Sequence, residues 1–286
     1  MGWRFTDDVE EYARQAGPLL HACPAENTVS LTVIENARAR PQILARDPEI
    51  YGWWADTGGE VTGAVSHTPP HEMLLGVVPD VAMRPLVVEL ARSGRDLPGV
   101  NGATGTAVQF AALWSAHTAQ RAVLRDAERL YRLGRLAAPD PEPPGRARVA
   151  TASDTGLLVD WMLGFVDDAG LDSDAKAVEA AVRDKVSFGG LTLWENGDGM
   201  PVSLAGRSRR AAGTVRVAPV YTPADHRRQG WASAVTAAVS QAVLDEGARE
   251  VVLFTDLANP TSNSIYQRLG YRPMTDRAVL RFEPAG

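Results

Sequence analysis

The sequence predicts an α/β protein built as two tandem halves, each a mixed, mostly antiparallel sheet flanked by helices. Three observations lead there. A proline-dense segment, Ala137–Arg146 (AAPDPEPPGR), divides the 286 residues near the middle, and proline at this density makes an extended, semi-rigid spacer. Beyond it, three strand patterns joined by turn signals give way to a helical period and then a continuous apolar run. A helix between strands of one sheet needs a right-handed crossover, which makes the sheet mixed. The same order of helices, meander, helix and strand reads before the spacer, which predicts a structural duplication. The expected division is residues 1–136, a spacer at 137–146, and residues 147–286.

In the second half, RARVAT (Arg146–Thr151) reads as a short strand. Ser153-Asp154 caps a helix whose Leu157, Leu158, Trp161, Met162 and Phe165 share one face. A second helix covers Asp174–Val186. LTLW (Leu191–Trp194), the turn Glu195–Gly199, Met200–Arg207, a turn at Arg210–Gly213 and Thr214–Thr222 form the meander. From Gln229 to Glu246, Ala232, Val235, Val239, Ala242 and Val243 fall on one helical stripe, and Gly247 stops it. Val251–Phe254 suits a buried central strand. A short helix ends at Gly270, and Arg277–Phe282 alternates as a last strand.

The first half reads as helices at about Asp8–Leu20 and Glu26–Arg40, then YGWWAD, a TGGE turn, VTGAVSH and MLLGVV. A helix from Pro79 to about Arg92, LPGVNG, a helix to about His117 and strand patterns to Leu133 complete it. Asn101-Gly102 reads as a turn, and Trp53, Trp54 and Trp161 as core residues.

Composition narrows the function. Hydrophobic residues make up 45% and charged residues 22%, which argues for a packed globular chain. A net charge of −6 argues against a broad nucleic-acid face. The single cysteine, Cys23, excludes an intrachain disulfide and a cysteine-built zinc cage, and it reads as a buried structural residue. His67 and His71 are four apart but flank Pro69-Pro70, so no helical metal pair forms; no metal site is expected. The N-terminus, MGWRFTDDVEEY, lacks the basic and apolar regions of a signal peptide. No stretch reaches the ~20 apolar residues of a membrane span. We therefore expect a cytoplasmic protein, monomer or homodimer, with neither nucleic acid nor membrane as partner.

The chemistry concentrates in Pro219–Ser233 (PVYTPADHRRQGWAS). Pro219 interrupts a strand pattern, and a residue that cannot donate to a ladder predicts a bulge or a parting from the neighbouring strand. A parted strand offers backbone groups to an extended amide ligand. The strand then leads through Arg227-Arg228-Gln229-Gly230 into a helix whose N-terminus favours phosphate. Glycine at 230 admits a pyrophosphate close to the backbone. The competing reading is a plain helix start with a solvated arginine pair.

A second motif decides between them. Thr255–Tyr271 reads TDLANPTSNSIYQRLGY. Asn259, Ser262, Tyr266, Gly270 and Tyr271 match Asn-x-x-Ala/Ser-x-x-x-Tyr-x-x-x-Gly-Phe/Tyr, and Arg227, Gly230 and Ala232 match Gln/Arg-x-x-Gly-x-Gly/Ala. Together these resemble the GNAT superfamily of acyl-coenzyme A-dependent N-acyltransferases, over roughly Thr151 to Phe282. The phrase VYTP…RRQGWA…ANPTSN resembles a bacterial branch in which a degenerate GNAT-like N-terminal half precedes an active one. The resemblance implies acetyl-coenzyme A as co-substrate and a small-molecule amine or peptide as acceptor, with direct attack of a primary amine on the thioester. It implies that the backbone of Val220, Tyr221 and Thr222 pairs with the pantetheine arm. Arg227, Arg228, Gln229, Gly230, Trp231, Ala232 and Ser233 would cradle the pyrophosphate. Asn259 and Ser262 would line the pantetheine or acyl end, and Tyr266 would protonate the leaving thiolate.

Some relatives carry a glutamate on the bulged strand, but TVRVAPVYT has no acid. Asp256, at the end of the buried strand, is the base candidate by position, with His226 and Glu195 behind it; a water chain or an amine arriving deprotonated would serve instead. In the first half the matching segment, Gly76–Leu86 (GVVPDVAMRPL), lacks the phosphate motif and carries Asp80, so that half is expected to bind no coenzyme A. Two further readings stand: a tandem acyltransferase of thiol or peptide biosynthesis, similar to mycothiol synthase, and a non-catalytic coenzyme A-binding sensor.

Overall fold

The computed structural model describes residues 1–39, 48–170 and 174–285. By packing, the chain divides into two units: unit 1 is Met1–Leu130 with Thr255–Asn259 and Pro273–Gly286, and unit 2 is Tyr131–Phe254 with Pro260–Arg272.

Unit 1 starts with a strand the sequence reading did not contain, β1 (Gly2–Thr6), followed by helices α1 (Val9–Ala22) and α2 (Thr28–Ala39). The expected end of α2 at Arg40 lies outside the described residues. Asp8 caps α1 by accepting from the Glu10 amide at 2.8 Å. Strands β2 (Ile50–Ala55), β3 (Val61–His67) and β4 (Met73–Leu75) form the meander, with α3 (Asp80–Arg92), β5 (Gly99–Ala103), α4 (Thr104–His117) and β6 (Gln120–Leu133) after it. β1 to β4 pair antiparallel in sequence order, and β4 pairs parallel with β5.

Two expectations are corrected here. Asn101-Gly102 is not a turn but the middle of β5. A Cβ at Gly102 would stand 3.0 Å from the Leu75 side chain, so the glycine serves close strand approach. Cys23 is exposed at the C-terminal cap of α1 rather than buried, because α1 ends at Ala22 and the chain leaves the helical path at Cys23 (φ −134°).

Unit 2 repeats the order with β7 (Arg146–Val149), α5 (Thr155–Asp168), α6 (Ala175–Ser187), β8 (Leu191–Glu195), β9 (Pro201–Arg207), β10 (Thr214–Tyr221), α7 (Trp231–Asp245), β11 (Glu250–Asp256) and α8 (Pro260–Arg268). β7 to β10 again pair antiparallel in order and β10 pairs parallel with β11.

The last strand, β12 (Tyr271–Pro284), departs from the expected division. Its residues Arg277–Arg281 pair antiparallel with Gly99–Ala103 of β5. Residues 273–286 therefore complete unit 1 rather than the half that precedes them in sequence. Local alternation identified the strand but carries no information about its partner.

The unit 1 core gathers Trp54, Leu75, Met83, Leu86, Phe110 and Trp114 with Leu280 and Phe282 of β12. Phe282 stacks on Trp114, with ring centroids 5.6 Å apart. In unit 2, Val235, Val239 and Val243 of α7 pack on Val215, Val217, Val251 and Leu253. The opposite face buries Leu158, Val178 and Val182 of the paired helices on Leu191, Leu193 and Leu204. Of the stripe its period predicted, Val235, Val239 and Val243 are buried, whereas Ala242 is exposed. At roughly 1.5–3 kcal/mol for each fully buried aliphatic side chain, these valines hold α7 against the sheet. Among the described residues, no helix is long and apolar enough to cross a membrane.

Candidate active site

Strand β10 departs from both neighbours where Pro219 predicts. Its parallel pairing with β11 runs from Thr214–Glu250 to Arg216–Val252 and stops. Its pairing with β9 shifts register between Val217–Arg207 and Val220–Ala205. The Ala218–Pro219 peptide at the shift is cis. Gly206 opposite the shift has no room for a side chain: a Cβ there would stand 2.5 Å from the Ala218 carbonyl oxygen. Lys185 of α6 reaches the same place, its Nζ donating to the carbonyls of Arg207 at 2.8 Å and Ala218 at 3.2 Å. Beyond the shift, Ser203 Oγ donates to the Tyr221 carbonyl at 3.1 Å and lies 2.8 Å from Thr222 Oγ1. Gly206, Lys185 and Ser203 escaped the sequence reading, because each acts on a partner far away in sequence.

Residues 222–230 connect β10 to α7. A short 3-10 turn at Ala224–His226 opens the connector. Arg228 and Gly230 then take left-handed backbones, φ +65° and +83°. Gly230 is the N-cap of α7 and provides no side-chain cap; no acidic residue occupies the first turn. Trp231, Ala232 and Ser233 therefore open a helix whose positive end is unfilled. Turns with left-handed residues are among the conformations that form anion-binding nests. Pro143 of the spacer comes to about 3.7 Å from the place of a Gly230 Cβ, an ordinary contact. His226 meets the Trp231 ring edge-on at 5.8 Å. Gln229 is exposed in the connector.

Tyr266 of α8 is 8% exposed and belongs to the same core cluster as Val215, Val217, Ala234 and Leu253. Its ring meets Tyr271 edge-on at 6.1 Å. Burial pushes its phenol up to about 12, because the charged phenolate is disfavoured away from water. It stays protonated and available as a donor. Asn259 directly precedes α8, and Ser262 lies in its first turn. Asp256 and Asn259 belong to unit 1 by packing.

The base candidates fare unequally. Asp256 is exposed and its Oδ1 accepts the Ala258 amide at 2.8 Å, shaping the turn into α8. Glu195 is locked: Arg148 Nε donates to it at 2.5 Å and Arg146 at 3.3 Å, and these hold its carboxyl below the usual range. Arg148 also makes two bonds of 2.8 Å to Asp154, whose carboxyl is held down at about 2. This network ties β7 to β8 and to the start of α5, and leaves Glu195 no basicity near neutral pH.

In unit 1 the corresponding strand-to-helix connector is residues 76–79. It ends on Pro79 as N-cap of α3, and Asp80 fills the first turn. Trp3 Nε1 donates to the Ala82 carbonyl at 2.8 Å, and the Gly76 amide returns to the Ala64 carbonyl at 3.1 Å.

Comparison with known proteins agrees with this architecture. Residues 200–280 match the family model described as FR47-like protein. A GCN5-related N-acetyltransferase from Sphaerobacter thermophilus superposes with a TM-score of 0.66 at 17% identity, over 98% of this chain and 95% of that one. The chain has the GNAT fold. A GNAT-family acetyltransferase from Colwellia psychrerythraea gives a TM-score of 0.61 at 10% identity, over 99% of both chains. A tandem GNAT protein from the clavulanic acid biosynthesis pathway gives 0.58 at 13%, again over 99% of both. No curated protein sequence matches. The GNAT fold thus extends along the whole chain, and the matched segment contains β10, the 222–230 connector, α7 and α8.

Proposed function

We propose that this chain is an acyltransferase that moves an acyl group, acetyl in the simplest case, from acyl-coenzyme A to a primary amine of a small-molecule or peptide acceptor. The observation that carries this reading is the end of β10: its ladder stops at Arg216, its register shifts before Val220, and it leads by way of Arg228 and Gly230 to the uncapped start of α7. Such a strand pairs its backbone at Val220, Tyr221 and Thr222 with an amide-rich arm, while the helix start accepts a pyrophosphate. The acceptor nitrogen forms the new C–N bond as the C–S bond breaks. Its surplus proton leaves to solvent or to Asp256. The sulfur takes a proton from the Tyr266 hydroxyl, which solvent restores. Asn259 and Ser262 would sit at the pantetheine or acyl end. Unit 1, with Asp80 in its helix start, would bind no coenzyme A.

The test is calorimetric titration with acetyl-coenzyme A on the wild type, Gly230→Ala and Gly230→Asp. Alanine imposes only the left-handed backbone cost of about 1–2 kcal/mol, whereas aspartate adds a carboxylate at the phosphate seat. One-site binding that survives alanine better than aspartate supports the reading. Two sites would overturn the role given to unit 1. A folded wild type that binds nothing would overturn the acyltransferase itself. Binding without turnover over a panel of amines would favour a coenzyme A sensor.

A further inference from the structure

The connector carries two adjacent arginines, and the structure treats them differently. Arg227 is engaged within the protein: its Nε donates to the Thr222 carbonyl at 2.9 Å, and its Nη2 pairs with Asp168, the last residue of α5. Arg228 forms no hydrogen bond or ion pair with any described residue, is exposed, and sits on a left-handed backbone beside the start of α7. A second contact falls on the same face of α5, since Gly164 and Asp168 are four residues apart. Tyr221 packs there so closely that a Cβ at Gly164 would stand 2.6 Å from its hydroxyl. Helix α5 thus grips the chain on both sides of Thr222, at Tyr221 in the strand and at Arg227 in the connector.

We propose that Arg227 is a positioning residue rather than a phosphate ligand. With Asp168 it latches the β10–α7 connector to α5, and Arg228 is the side chain that brings positive charge to the phosphates. This rests on the reading of unit 2 as the acyl-coenzyme A site. The physical reason is charge. A guanidinium that gives Nε to the Thr222 carbonyl and Nη2 to Asp168 is fixed in place with its charge paired to a carboxylate, so it adds more shape than field. Arg228 keeps all of its donors for a ligand. The pair is half exposed, with side-chain exposures of 46% and 48%, so its loss has a modest effect on folding.

The experiment is titration with acetyl-coenzyme A at several potassium chloride concentrations for the wild type, Arg228→Ala, Arg227→Ala, Asp168→Asn and the Arg227→Ala/Asp168→Asn double variant. Amide hydrogen exchange through residues 222–230 is followed in parallel. Arg228→Ala should weaken binding by about tenfold or more and flatten its salt dependence. Arg227→Ala and Asp168→Asn should each weaken it about threefold to fivefold. The double variant should be no worse than the poorer single one. These latch variants should exchange faster in the connector and keep the wild-type salt dependence. Tighter binding by Asp168→Asn, together with a flattened salt dependence in Arg227→Ala, would overturn the proposal by showing that Asp168 merely holds back a phosphate ligand. An unchanged salt dependence in Arg228→Ala would overturn it equally. No binding by the wild type would instead sink the acyltransferase reading, and the latch's role with it.

Discussion

Unit 1 passes from β4 to α3 through residues 76–79, and unit 2 passes from β10 to α7 through residues 222–230. Both strands pair in parallel with the next strand, and both helices begin without a side-chain cap. In α3 the first turn contains Asp80, so the positive helix end already has its anion. In α7 the first turn has no acid, and left-handed residues at 228 and 230 shape a longer connector before it. On the function proposed above, the difference separates a copy that serves structure from a copy that binds a ligand. One copy satisfies its helix start internally, and the other leaves it for something else to satisfy.

The largest effect that tests this contrast is expected from Gly230→Asp. Placing in α7 the kind of charge that α3 has at Asp80 should cost at least about a hundredfold in acetyl-coenzyme A affinity by calorimetry, since a carboxylate at the helix start meets the phosphates as a like charge. Next comes Tyr266→Phe, expected to leave affinity nearly unchanged and to lower kcat by about a hundredfold, the lower end of the range for a lost general acid. With its phenol pushed from 10.0 up to about 12 by burial, Tyr266 keeps its proton, so wild-type activity should show no alkaline fall near pH 10. A fall there that Tyr266→Phe abolishes would show the phenol titrating at its ordinary value.

A smaller effect concerns stability. Hydrogen bonds from Arg148 depress Asp154 from 3.8 to about 2. A depressed carboxyl contributes stability above its unfolded value, and that contribution is lost as pH falls from about 4 toward 2. In Arg148→Met this acid-dependent loss, on the order of 1–2 kcal/mol, should shrink when denaturant midpoints are compared between pH 5 and pH 2.5. The smallest expected effect completes the comparison. Asp80→Gly removes the charge from α3 but not the short connector, and the stoichiometry of acetyl-coenzyme A binding should stay at one. A second site would show that Asp80 alone keeps unit 1 closed to phosphate.

Much of this was legible in the sequence because the signals are local. The valine stripe of α7, the glycine at its start and the proline that interrupts β10 each act within a few residues. β1 was missed because five residues with alternating Trp3 and Phe5 give too short a pattern, and its pairing with β2 establishes it. Lys185, Ser203 and Asp168 were missed because their partners, at Ala218, Tyr221 and Arg227, are chosen by packing and not by spacing. Glu195 reads as a turn acid, yet its two arginines come from the strand beside it.

The pairing of β12 with β5 has a consequence for how the chain is made. Residues 277–281 leave the ribosome only after all of β7 to α8 has been synthesised, so the sheet of unit 1 waits for its last strand across the length of another unit. Contacts this distant in sequence slow folding and leave a sheet edge uncovered meanwhile. Topologically, most of unit 2 is an insertion within unit 1. Cutting at the proline-rich spacer would therefore separate β5 from the strand that completes its sheet and uncover the Phe110–Trp114 stack that Phe282 covers.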